Sequence, residues 1–144
     1  MSRTQKFRQQ HAEILQIAGE LQGHLQPAQL AADATPARSC LSRLMGKLSM
    51  HLAAEDKVLY PELCHHGDAS VSNLAKKFST EMENTAPAVA NYNGKWNTPS
   101  AIKAQPAQFI AETQQILKVL GDRIRRENQE LYATADRLEG HAYG

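Results

Sequence analysis

Four segments of the chain carry apolar residues at steps of three and four, and this spacing constrains the fold more than any other feature. It is the pattern of amphipathic helices, each with one buried stripe. We expect helices over about 3–25, 36–64, 70–92 and 106–138, joined by segments rich in Pro, Gly or polar residues. Three short links between four long helices predict an all-α, up-down-up-down four-helix bundle, with residues 1–144 as a single domain.

Residues with known preferences for helix ends mark the expected boundaries. Thr35 precedes a proline, so its hydroxyl is expected to cap the second helix. Asp68 or Ser70 is expected to cap the third helix, and Gly140 to end the fourth. Pro61 falls near the end of the second helix, where the missing N–H is expected to kink or fray the last turn.

Composition narrows the classes of partner. The formal net charge is +1 and the charged residues are interspersed, so we expect neither nucleic acid nor a membrane as partner. No apolar run reaches transmembrane length and the N-terminus is too polar for a secretion signal, which predicts a cytoplasmic protein. Cys40 and Cys64 would lie about 36 Å apart along one helix. They therefore do not pair, and free thiols fit a reducing compartment.

Polar residues interrupt the apolar stripes at a few positions. In the stretch HLAAEDKVLYPEL, His51 and Glu55 lie one helical turn apart where the pattern would otherwise place apolar residues. His11 lies on the stripe of the first helix, and Arg123 and Glu127 lie on that of the fourth. Buried polar groups are costly unless something satisfies them, so these positions indicate a functional or ion-paired site.

The second and fourth helices contain related sequences, HLAAEDKVLY from His51 and RIRRENQELY from Arg123. Their alignment predicts an internal duplication in which the first two helices correspond to the last two. The aligned pairs are His51 with Arg123, Glu55 with Glu127, Leu59 with Leu131 and Tyr60 with Tyr132. By the same logic Met82 on the third helix is the counterpart of His11 on the first.

Helix lengths predict that these polar residues share one level of the bundle. At a rise of 1.5 Å per residue, His11 and His51 each lie roughly 21 to 23 Å from the link between their helices. Glu55 and Met82 lie at similar heights relative to the next link. We therefore expect one layer of the core to contain His11, His51, Glu55, Met82, Arg123 and Glu127.

This arrangement resembles the hemerythrin-like, or HHE cation-binding, domains. In that family, four-helix bundles hold a non-haem di-iron centre with histidines and bridging carboxylates. The resemblance covers nearly the whole chain, and HLAAEDKVLYPEL and RENQELY are its most specific parts. It implies metal-ligand roles for His11, His51, Glu55 and Glu127.

Two positions depart from the family pattern. The family's third-helix histidine corresponds to Met82 and its fourth-helix histidine to Arg123. Glu81 or Glu83 would add a carboxylate if the third helix rotated slightly. Arg123 is expected to form bidentate hydrogen bonds with the neighbouring carboxylates. It would thereby take over part of the metal's role of neutralising their buried charge. We therefore expect an incomplete site: mononuclear or partial di-iron, or no metal.

Two classes of function remain open from the sequence. The resemblance implies a non-enzymatic, metal-binding or oxygen/redox-responsive protein that binds a small ligand such as dioxygen. The alternative is a metal-free helical bundle that regulates a protein partner, since Arg123 and Glu127 also resemble an Arg-x-x-x-Glu in bacterial sigma-factor regulators.

No nucleophile beside a base, phosphate-binding glycine loop or dinucleotide fingerprint is present, which argues against an enzyme. Tyr60 and Tyr132 are read either as hydrogen-bond partners of the ligands or as ordinary core aromatics.

Overall fold

The computed structural model describes residues 4–143, with side chains as far as Leu138, and this part of the chain is helical without a strand. The helices are α1 (Gln5–Gly23), α2 (Pro27–Ala32), α3 (Thr35–Ala54), α4 (Tyr60–Cys64), α5 (Ala69–Lys95), α6 (Pro99–Ala104), α7 (Pro106–Arg126) and α8 (Tyr132–Tyr143). Two π-helical turns, π1 (Glu55–Leu59) and π2 (Glu127–Leu131), continue α3 into α4 and α7 into α8. The chain thus forms four long helices: α1, α3–π1–α4, α5 and α7–π2–α8. The all-α prediction is confirmed.

Side-chain contacts show that successive long helices are antiparallel. Between the first and second, the contacts are Glu20 with Arg43, Glu13 with Lys47 and Gln10 with His51. Between the third and fourth, Lys95 contacts Glu112 and Glu81 contacts Arg126. In both pairs the residue number rises on one helix as it falls on the other. The first and fourth helices are antiparallel as well, since Arg8 binds Asp136 and His11, further along the first helix, contacts Asn128.

The helix ends follow the sequence prediction in part. Asp68 caps α5 by accepting a 2.9 Å hydrogen bond from the amide of Ser70. The prediction that Thr35 caps the second helix is wrong, because its own amide donates to the carboxylate of Asp33 and Thr35 is already helical. Gly140 does not end the last helix, which continues to Tyr143; a glycine within a helix costs only about 1 kcal/mol. The two links contain short helices, α2 and α6, where mainly irregular chain was expected.

Pro61 lies two residues after the end of π1, and the second long helix continues through it to Cys64. The expected fraying is therefore absent. The proline is not what creates the π turn, because π2 has the same length and Ala133 in the corresponding position. In both places the extra residue of the π turn rotates the following tyrosine toward the core, and Tyr60 and Tyr132 are both buried.

The core consists of two apolar clusters on either side of a polar layer. The larger cluster lies toward the ends of the long helices that carry α2 and α6, and includes Leu21, Leu44, Trp96 and Phe109. The smaller cluster, around Phe7, Leu63, Phe78 and Leu131, fills the opposite end. Between them lie the buried side chains of His11, His51, Glu55, Arg123 and Glu127.

Two further expectations concern the thiols and the membrane. Cys40 is buried and Cys64 is half-buried, and both are free cysteines on the second long helix, as predicted. None of the described helices is both long enough and apolar enough to cross a membrane.

Candidate metal centre

Four side chains from three long helices meet in the polar layer. We call them the His–Glu cluster: His11 from α1, His51 at the end of α3, Glu55 from π1 and Glu127 from π2. One nitrogen or oxygen from each residue lies within 4.8 Å of the corresponding atom of every other. All four are at most 2% exposed, so the cluster is shielded from water.

Each histidine is held by an amide oxygen on its outer nitrogen. His11 Nδ1 lies 2.9 Å from Asn128 Oδ1, and His51 Nδ1 lies 2.7 Å from Gln10 Oε1. Because an amide oxygen only accepts, Nδ1 carries the hydrogen in both rings and Nε2 presents a lone pair to the cluster. Burial lowers the pKa of His51 to about 4, which keeps its ring neutral at pH 7.

The two carboxyl groups are in unlike states. Burial, then the hydrogen bond and the charge of Glu127, raises the pKa of Glu55 far above its usual range. Burial alone would also raise the pKa of Glu127, but close contacts with His11 and Glu55 and the charge of Arg123 more than offset this and lower it. Without a metal, the pair therefore holds one proton, on Glu55, and one negative charge, on Glu127.

The tyrosines that follow the two π turns contact the cluster across the bundle. The hydroxyl of Tyr132 donates to Glu55 Oε2 at 3.1 Å, and that of Tyr60 donates to Glu127 Oε2 at 3.1 Å. Burial, and then the charge of Glu127, raises the pKa of both phenols. Both hydroxyls are consequently protonated donors at neutral pH, and they are hydrogen-bond partners of the cluster rather than ordinary core aromatics.

Arg123 lies beside the cluster but does not form the expected bidentate hydrogen bonds. Its Nη2 donates to the Tyr60 hydroxyl at 2.7 Å, and its Nε lies 3.6 Å from Glu127 Oε1. The guanidinium packs over the ring of Phe78, which turns its fork away from the carboxylates. Among the described residues, Nε and Nη1 have no hydrogen-bond partner. Arg123 thus supplies a buried positive charge through loose ion pairs with Glu127 and, at 3.5 Å, with Glu81.

The third helix contributes no side chain to the His–Glu cluster. Glu81 forms two hydrogen bonds with Arg126, at 2.8 and 3.1 Å, which hold it at the side of the bundle. Glu83 is exposed. Met82 is half-buried and, with Leu48, Leu52 and other residues, lines an apolar cavity of about 260 Å³ between the second, third and fourth helices. The expectation that Met82 joins the polar layer is therefore not met, because α5 turns it toward this cavity.

Contacts in the two halves repeat as the aligned sequences predict. Phe7 and Gln10 contact His51, while Phe78 and Glu81 contact Arg123. The first and third helices match at an offset of 71 residues and the second and fourth at 72, which also relates π1 to π2. The two halves differ where the imidazole of His51 corresponds to the guanidinium of Arg123. The layer is thus a repeat with a neutral half and a cationic half.

The donor atoms of the cluster fit one metal ion. Glu55 Oε1 lies 2.6 Å from His51 Nε2 without hydrogen-bond geometry, and it has no hydrogen-bond partner among the described residues. Donors that share an ion at about 2.1 Å lie roughly 3 Å apart when adjacent and about 4.2 Å when opposite. The observed separations are close to this range, and a cation bound between these buried donors would satisfy them. Arg123 Nε lies 3.6 Å from Glu127 Oε1, the same oxygen that faces His11, so its positive charge would oppose a second ion beside Glu127.

Gln10 and Asn128 were not singled out from the sequence, and neither were the π turns. Each amide stands next to a cluster residue in the chain, Gln10 before His11 and Asn128 after Glu127. Gln10 nevertheless binds the histidine of the neighbouring helix, and Asn128 binds a histidine 117 positions away. The repeated tyrosines were the one available signal, since Tyr60 and Tyr132 align in the two halves.

Comparison with known proteins gives one match. The family described as Hemerythrin HHE cation binding domain matches residues 2–135, nearly the whole chain. No curated protein and no solved structure matches. The matched segment contains every residue of the His–Glu cluster.

Proposed function

The chain belongs to the hemerythrin HHE cation-binding family, and from this premise we propose that its His–Glu cluster binds a single non-haem iron ion. Domains of this family are generally non-enzymatic metal-binding or sensing domains. We propose the same here: a protein that responds to oxygen or redox state and catalyses no reaction. The observation that carries the proposal is the convergence of two histidine Nε2 lone pairs and two carboxylates, with both Nδ1 atoms held by amide oxygens.

Two histidines and carboxylates form a donor set suited to non-haem iron with open positions. When bound, the ion would supply a change of oxidation state and a position for a small ligand such as dioxygen. The protein's own contribution is to orient the rings through Gln10 and Asn128 and to keep water out. Hydrogen bonds of this kind commonly account for a 10- to 100-fold difference in metal affinity.

The proposal is one ion per chain, not two. Arg123 stands where the sequence repeat would put a second histidine, and its permanent charge opposes a second cation at short range. The third helix supplies no further carboxylate, since Glu81 is bound to Arg126. A ferrous ion alone would balance the two negative charges of ionised Glu55 and Glu127, so the guanidinium of Arg123 already leaves one positive charge in excess.

A metal-free regulatory bundle is the second candidate, and one observation favours it. Tyr60, Tyr132 and Arg123 already hydrogen-bond or pair with the two carboxylates, so much of the polar layer is satisfied without an ion. In that case the layer would define the fold, and a protein partner would bind elsewhere.

Metal analysis separates the two. The full chain is incubated anaerobically with ferrous iron, dialysed and measured for iron per chain. We expect about one iron, lost in Glu55→Gln and retained in Glu83→Gln, because Glu83 is exposed on the third helix. Two irons per chain would contradict the single-ion proposal, and none would favour the metal-free bundle.

A further inference from the structure

The hydroxyl oxygen of Tyr132 lies inside the His–Glu cluster rather than at its edge. It is 3.1 Å from Glu55 Oε2, 3.2 Å from His11 Nε2 and 3.5 Å from His51 Nε2. A phenol has one hydrogen to donate, and here it faces three acceptors. Since the Tyr132 hydroxyl serves only one of them at a time, its oxygen is also part of the group of converging lone pairs.

These distances are those of a donor that shares an ion with its neighbours. Adjacent ligands at about 2.1 Å from one ion are separated by roughly 3 Å. The hydroxyl oxygen of Tyr132 lies at about this separation from atoms of Glu55, His11 and His51, three of the four cluster residues. It is also rigidly held, because it is fully buried, its ring stacks on His11 at a centroid distance of 5.1 Å, and π2 aims it inward.

The surroundings of Tyr132 also favour a negatively charged oxygen once a cation is bound. The guanidinium of Arg8 lies over the ring, 5.5 Å from its centroid, and is fixed by an ion pair with Asp136. A positive charge over an aromatic face stabilises it, and more strongly when the ring carries negative charge. A bound metal ion adds a larger local charge of the same sign.

Tyr60 occupies the corresponding position of the other half and has different contacts. Its hydroxyl reaches a single member of the cluster, Glu127, and accepts a hydrogen bond from Arg123 at 2.7 Å. The Tyr60 oxygen therefore accepts a hydrogen bond from a guanidinium, whereas the Tyr132 oxygen faces two imidazole nitrogens. The internal repeat thus provides a matched control: two buried tyrosines, one directed at the proposed ion and one at Arg123.

We propose that Tyr132 is a fifth ligand of the metal ion and that its phenolate selects the ferric state. This inference rests on the proposed function of the His–Glu cluster. On binding, the O–H bond breaks, the proton leaves to solvent and the oxygen lone pair forms the bond to iron, with no change of oxidation state in this step. Hard anionic oxygen donors favour the harder, more highly charged ion.

The test uses the full chain loaded with ferric iron, with zinc as a colourless reference. A tyrosine ligand to ferric iron gives a visible charge-transfer band and enhances phenolate ring modes in resonance Raman spectra at that wavelength. We expect both signals in the wild type and in Tyr60→Phe, and neither in Tyr132→Phe. Iron per chain and zinc per chain, measured on the same samples, report whether the rest of the site is intact.

The outcomes are distinguishable from failure of the proposed function. One iron per chain in the wild type without the band would overturn the role of Tyr132 and leave the His–Glu cluster as the site. Loss of the band in Tyr60→Phe but not in Tyr132→Phe would identify Tyr60 as the ligand and would also overturn the proposed role of Tyr132. Absence of iron and zinc from the wild type would overturn both proposals together.

Discussion

The hydroxyl of Tyr60 donates a 3.1 Å hydrogen bond to Glu127 on the opposite long helix. The sequence repeat predicts a reciprocal contact, and it is present with the same length between Tyr132 and Glu55. Each half of the chain therefore provides the tyrosine that binds the other half's carboxylate. This exchange ties the second and fourth helices together at the polar layer.

The amide side chains that orient the histidines are expected to control metal affinity without controlling the fold. Gln10→Leu and Asn128→Leu should each weaken metal binding by about 10- to 100-fold, because the ring loses the acceptor that holds hydrogen on Nδ1. Isothermal titration with zinc measures the change. The exposed neighbours give matched controls, Gln9→Leu and Gln129→Leu, which should bind as the wild type does. Equal loss in a control would show that the effect is not due to ring orientation.

Arg123 is expected to stabilise the metal-free protein. Arg123→Met should lower the free energy of unfolding by about 3 to 5 kcal/mol, because the buried carboxylate of Glu127 loses its positively charged partner. Urea unfolding in the presence of a chelator measures this. Arg125→Met is the control: its ion pair with Asp122 is exposed and should contribute about 0 to 1 kcal/mol. A loss below about 1 kcal/mol for Arg123→Met would mean that the loose ion pairs contribute little.

Converting the cationic half of the layer to match the other half should create room for a second metal. The double variant Met82→His and Arg123→His removes the guanidinium and places imidazoles at both positions where the family pattern has them. The imidazole at position 82 has to turn from the apolar cavity toward the layer to bind. We expect bound iron to rise from about one to about two per chain. Met82→His alone keeps Arg123 and should remain at about one. If the single and double variants bind equally, the charge of Arg123 is not what excludes the second ion.

Glu81 should make stability depend on pH. Hydrogen bonds from Arg126, and beyond them the Arg126 and Arg123 charges, outweigh burial and hold the pKa of Glu81 below its usual value. A lowered native pKa means that the stabilisation is present above the unfolded-state pKa and is lost as pH falls through the native one. The difference in Tm between the wild type and Glu81→Gln should therefore be largest near neutral pH and shrink under acid.

The matched control for Glu81 lies two residues along the same helix. Glu83→Gln changes an exposed carboxylate and should give no such pH-dependent difference in Tm. Thermal unfolding of the three proteins over about pH 7 to pH 2, followed by circular dichroism, provides the comparison. A constant difference for Glu81→Gln at all pH values would show that its contribution does not come from the ionised carboxylate.

Helix periodicity and the internal repeat were sufficient for the fold and for the position of the polar layer. The stripes predicted four long helices, and counting residues to each link predicted that His11 and His51 share a level. Both inferences depend only on the fixed rise and turn of a helix, which every residue obeys. The same regularity explains why the aligned residues Glu55 and Glu127 lie together in the structure.

The details of the polar layer were decided by tertiary packing. Whether Arg123 hydrogen-bonds to the carboxylates or only forms loose ion pairs with them depends on where Phe78 holds the guanidinium. Whether Met82 faces the layer depends on the rotation of α5. The two π turns are invisible to a periodicity of 3.6 residues, yet they bring Tyr60 and Tyr132 to the carboxylates. Sequence alone determined which residues reach this level of the bundle. Only the packed structure determined which atoms face one another. That depends on how far each helix is rotated about its own axis, and neighbouring helices set this rotation.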